Sequence, residues 1–134
     1  MSWDISVQDF PPDAKSVEEI PDDFVPKSLG SRSAVIAKIR EAVPIADFSD
    51  PSWGRIEGDD WSIEINIGTE EDCESFALHV RGGDTALGAV ASILDHLRVR
   101  AFDCQTGDFF VPDSTGLDSF RKWRAYRDSV VPKP

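Results

Sequence analysis

Two cysteines, Cys73 and Cys104, are all that 134 residues contain, and two cannot make a disulfide framework. No apolar run approaches the ~20 residues that a membrane-spanning helix needs. The opening Met1-Ser2-Trp3-Asp4 has neither a basic n-region nor an apolar h-region, so no secretory leader is expected and the expected compartment is the cytoplasm. Histidine is as scarce as cysteine. Cys73, His79, His96 and Cys104 are the soft metal ligands, spaced six, seventeen and eight positions apart. Structural zinc takes closely spaced pairs, so no metal and no cofactor is expected. Basic residues are few as well: 14 Lys and Arg stand against 25 Asp and Glu, for a net charge of −11 and a pI near 4.4. A field of that sign repels nucleic acid phosphate and attracts a basic protein partner.

Alternation of apolar and polar residues with period two is what the chain does have. In Trp61–Ile67 and Ser75–Arg81 it sends Trp61, Ile63, Ile65, Phe76, Leu78 and Val80 to one face. Ser62, Glu64, Asn66, Ala77, His79 and Arg81 go to the other, the pattern of strands buried on one side only. Ser2–Gln8 alternates likewise, with Trp3, Ile5 and Val7 against Asp4, Ser6 and Gln8. In Trp53–Glu57, a short strand, the same period puts Trp53, Arg55 and Glu57 on one side and Ile56 on the other. Gly58-Asp59-Asp60 then makes a plausible hairpin to the Trp61 strand.

Helices are expected at Ser31–Val43, capped by Ser31 or Ser33 and stopped by Pro44, and from Asp84 through the Leu87, Val90, Ile93, Leu94 and Leu97 face. A third, Leu117–Val131, carries a docking stripe of Phe120, Trp123 and Tyr126 with bases on its outer side. Arg98–Asp103 reads as a strand, and Asp108–Val111 as a short extended piece. Pro11–Gly30 holds four prolines, a density that no helix interior or central strand tolerates. Its apolar residues suggest a segment lying against the body. The expected order is β-α-β-β-β-α-β-(β)-α. This predicts a single α+β domain over 1–134, two-layered, with an antiparallel meander and helices packed mainly on one face.

Three constellations invite chemistry. Arg81-Gly82-Gly83-Asp84-Thr85 lies between a strand and a helix, where phosphate cradles form. No Lys follows, and Asp84 would itself occupy the helix N-terminus, so the reading is a structural turn. Cys104 lacks a neighbouring base in the sequence and reads as a turn cysteine. Glu64 and His79 are the best acid/base pair, because both leave the polar face of adjacent strands. With Trp53, Arg55, Glu57, Asn66 and Arg81 they form the candidate binding face, and Trp and Arg are frequent binding hot spots. No catalytic residue is expected. Residues 44–74 add ten acids against one base, with Asp59 and Asp60 as a second, acidic candidate region.

The chain resembles small bacterial proteins of uncharacterised function over most of its length. The resemblance rests on Asp22-Asp23-Phe24, Asp47-Phe48-Ser49-Asp50-Pro51-Ser52-Trp53-Gly54, Ser75-Phe76-Ala77-Leu78-His79-Val80-Arg81-Gly82-Gly83 and Ala101-Phe102-Asp103-Cys104-Gln105-Thr106-Gly107. It implies no activity. In size, acidity and sheet-plus-helix make-up the chain is also similar to immunity proteins of bacterial toxin systems. The expected function is therefore non-catalytic protein binding. The rival is a small-molecule-binding domain or enzyme on the polar sheet face, which would need a concave pocket.

Overall fold

Alternation becomes pairing in the computed structural model, which describes residues 2–83 and 85–110. The elements are β1 (Trp3–Gln8), a 3₁₀ turn (Val17–Glu19), β2 (Gly30–Ser31), α1 (Arg32–Ala42), β3 (Asp47–Asp50), β4 (Trp53–Glu57) and β5 (Trp61–Asn66). They continue with β6 (Asp72–Cys73), β7 (Ser75–Gly82), α2 (Ala86–Leu97), β8 (Arg100–Asp103) and β9 (Asp108–Phe110). The expected helix at Leu117–Val131 and the expected Asp84 cap lie outside the described residues.

The fold is α+β. Seven strands form one sheet in the order β3-β4-β5-β7-β1-β8-β9, and β2 pairs with β6 in a small second sheet. Every pairing is antiparallel. The expected meander is β4-β5-β7, and β1 fits between β7 and β8 at the centre. Three short strands escape the period-two reading. Asp47-Phe48-Ser49-Asp50 has one apolar residue and no alternation to detect. It pairs with β4 because Phe48 lies over Gly54, where any Cβ would collide with the ring. The two-residue pieces β2 and β6 are too short to show a period at all.

The inward positions of β1, β5 and β7 are buried, among them Trp3, Ile5, Val7, Ile63, Ile65, Phe76, Leu78 and Val80. They join Val35 and Ile39 of α1 and Val90 and Ile93 of α2 in one hydrophobic cluster. Trp61, expected inside, is half-buried at the edge of that cluster. Its ring lies over Gly58 in the hairpin turn. Of the two expected caps of helix α1, Ser31 is the one in place: its Oγ accepts from the Ala34 N–H at 3.2 Å. Helix α2 ends on Arg98, which takes the left-handed conformation (φ 54) and donates its N–H to the Leu94 and Asp95 carbonyls. Arg98 therefore closes the helix, and the strand it was expected to open begins at Arg100.

Residues 11–17 of the proline-rich segment pack at one end of the sheet, whereas Val25, expected to lie against the body, is 78% exposed, and the Leu29 N–H donates to the Cys73 carbonyl. Arg100 Nη1 donates to the Pro11 and Ala14 carbonyls at 2.6 and 2.7 Å. Its guanidinium lies 3.8 Å above the Phe109 ring, and Phe10 meets Phe109 edge to face. The Val17 N–H donates to Asp108 Oδ1. These contacts of residues 10–17 are with β8 and β9, on the far side of β1 from the β4-β5-β7 meander.

Candidate functional site

On the sheet face turned away from α1 and α2, antiparallel register lines up side chains from four strands. Arg55 of β4 stands opposite Glu64 of β5, Glu64 opposite His79 of β7, and His79 opposite Asp4 of β1. A neighbouring row holds Glu57, Ser62 and Arg81, and the next holds Trp53, Asn66, Ala77 and Ser6. All seven residues singled out from the sequence thus share one face of three adjacent strands. Arg55, Glu57 and Asn66 are exposed, and Trp53, Glu64, His79 and Arg81 are half-buried.

Partners within the face differ from the expected Glu64–His79 pair. His79 Nδ1 lies 2.8 Å from Asp4 Oδ1, and Arg81 Nη1 donates to Glu64 Oε1 at 3.0 Å. Arg55 stands 3.7 Å from Glu57. The Trp53 indole stacks on the His79 imidazole, with ring centroids 5.9 Å apart and an interplanar angle of 18°. The aromatic group that sequence placed on the face is therefore held in one orientation by a histidine, and that histidine by an aspartate. Asp4 was legible as an outward position of its strand. Its role was not, because nothing local says that β1 inserts beside β7.

Beside Trp53 the face continues onto β3. Asp47, Ser49, Asp50, Trp53 and Arg55 line an open depression of about 270 Å³. Asp47 Oδ1 accepts from the Ser49 hydroxyl at 2.6 Å and the Ser49 N–H at 2.8 Å. Asp50 Oδ1 accepts from the Ser52 hydroxyl at 2.7 Å and the Ser52 N–H at 2.9 Å. Those bonds, the hydroxyl first, hold both carboxyls below the usual range, because a donated hydrogen bond favours the charged form. Arg55 adds a smaller downward pull on Asp47.

A histidine oriented by a carboxylate is half of a general-base device, and a nucleophile on its other side would complete it. Cys104 sits on the wrong side: its N–H donates to the Asp4 carbonyl, so aspartate lies between thiol and imidazole in the row. Burial, then the Asp4 and Asp103 charges, push the Cys104 thiol up, away from the thiolate a nucleophile needs. Among the described residues, no group of three or more His, Cys, Asp and Glu is placed to hold a metal.

The Arg81-Gly82-Gly83 turn serves structure. The Gly83 N–H donates to the Asp60 carbonyl at 3.1 Å, and Thr85 Oγ1 donates to Asp60 Oδ1 at 3.2 Å. The Asp60 carboxylate, from the β4–β5 hairpin, lies against this turn. A Cβ on Gly83 would press into it.

The chain matches no protein-family model, and neither the search of curated proteins nor that of solved structures gave a match. No helix among the described residues is long and apolar enough to cross a membrane.

Proposed function

We propose that this protein is a non-catalytic protein-binding domain of the cytoplasm, of immunity-protein type, and that it binds through the face of β4, β5 and β7 that is turned away from α1 and α2. The observation that carries the reading is Trp53: half-exposed on the face turned away from α1 and α2, and stacked on His79. A partly exposed indole held against a neighbouring ring is the kind of side chain that anchors binding hot spots. Stable complexes bury ~800 Å² on each partner, and an extended sheet face offers area on that scale. The enzyme reading needs an enclosing pocket, whereas the depressions beside Trp53 and beside Arg81 are open.

Native mass spectrometry of the tagged full chain, purified from its own cells, tests this. A second protein in fixed stoichiometry is expected, lost in Trp53→Ala and kept in Ser92→Ala on the exposed side of α2. Free monomer from both proteins, or a small molecule retained through Trp53, would overturn it.

A further inference from the structure

Beside that face, β3 forms an edge of the sheet among the described residues, and the edge is charged. Among the described residues β3 pairs with β4 alone. It is short, its register with β4 shifts between Asp47 and Asp50, and its Ser49 N–H is already used by Asp47. A short, irregular, charged edge is protected against strand addition, so a partner must read its side chains. Those side chains are a carboxylate at each end of β3, both held ionised by Ser49 and Ser52, and the indole of Trp53 beside them. Carboxylate plus aromatic face is the chemistry that receives a guanidinium. The wider field agrees: residues 1–110 carry 22 acids against nine bases, which steers a cationic partner inward.

We infer that the partner is a cationic protein, and that one of its arginine side chains seats between the Asp47 and Asp50 carboxylates and the Trp53 ring. This rests on the protein-binding reading above and names the partner's chemistry. Arg55 then takes a role opposite to that of a hot spot. It lines the same depression and already supplies a positive charge to Asp47, so it is the resident cation that the incoming arginine must compete with. Its loosely held partner Glu57, 3.7 Å away, leaves it able to swing aside.

The sign of the Arg55 effect makes the inference testable without the natural partner. A short Arg-Gly-Ser repeat peptide is titrated into isotope-labelled full-length protein, with a Glu-Gly-Ser peptide as control, and binding is followed by NMR. The arginine peptide is expected to move the Trp53 indole and Ser49 amide signals, with affinity falling as salt rises. Arg55→Gln is expected to tighten binding by about threefold or more. The double variant Asp47→Asn/Asp50→Asn is expected to weaken it by about tenfold, the scale of one lost charge-assisted contact, with an unchanged circular dichroism spectrum. Preference for the glutamate peptide at Trp53, weaker binding by Arg55→Gln, or no movement of Trp53 with either peptide overturns the cationic assignment. The native complex and its Trp53 dependence decide separately whether the face binds protein at all.

Discussion

Asp103 is, among the described residues, the one buried polar or charged side chain, and its surroundings show why it is tolerated. Its Oδ1 accepts from Trp3 Nε1 at 2.8 Å and from the Gln105 N–H at 2.8 Å. One carboxylate thus ties the first strand to the β8–β9 turn. Asp103→Ala leaves the Trp3 indole N–H buried without that acceptor, and an urea melt should show a loss of ~1–3 kcal/mol. Gly82 is a second singular residue. It holds φ 98, and a Cβ there would collide with the Asp60 carbonyl and the Trp61 backbone. Gly82→Ala should cost at least ~1–3 kcal/mol, from the conformation alone, by the same melt. The two thiols should separate by access: Cys73 is buried and Cys104 exposed. Alkylation at neutral pH followed by peptide mass mapping should modify Cys104 slowly and Cys73 only on unfolding.

At the scale of elements, β5 and β7 hold the core together, because each carries inward residues between two paired neighbours. Ile65 and Leu78 are opposite one another in register and fully buried. Truncating either to Ala should cost ~2–5 kcal/mol, set by how far the packed helices collapse onto the void. Outward residues of the same strands are a different matter. The Arg81–Glu64 pair is partly exposed on both sides, and breaking it with Arg81→Gln should cost ~1 kcal/mol or less. A larger loss would mean that these outward side chains also contribute to folding. The contrast between Leu78→Ala and Arg81→Gln, three residues apart on one strand, measures how cleanly the sheet divides structure from surface.

For the whole molecule, charge sets how stability varies with pH. Asp47 and Asp50 have folded-state pKa values depressed by their hydrogen bonds to Ser49 and Ser52. Their contribution is present above the ordinary aspartate value near ~3.9 and is lost as pH falls through the depressed folded value. Burial raises the Cys73 thiol, so the native state keeps a proton that the unfolded chain releases. That contribution is full below the ordinary thiol value near ~8.5 and is lost as pH rises through the raised one. Denaturation midpoints measured across pH should therefore fall at both ends. Cys104 is raised as well and adds to the alkaline limb, so Cys73→Ala should lessen that limb in part without moving the acid limb, where Asp47→Asn/Asp50→Asn should act instead.

Much of this protein could be read from residue order, since a strand's sidedness is a local property. The alternation in Trp3–Gln8, Trp53–Glu57, Trp61–Asn66 and Ser75–Arg81 settled which residues face the core, as the burial of Ile63, Ile65, Leu78 and Val80 shows. The Ser31 cap and the α+β class followed from equally local signals. Only tertiary structure decided the strand order, and with it every partner on the polar face. Insertion of β1 beside β7 gave His79 to Asp4, and the packing of Phe48 over Gly54 brought Asp47 and Asp50 beside Trp53. The physical reason is range. Period two is written into neighbouring residues, whereas a cross-strand pair joins positions as far apart as Asp4 and His79, whose meeting depends on how the whole core closes.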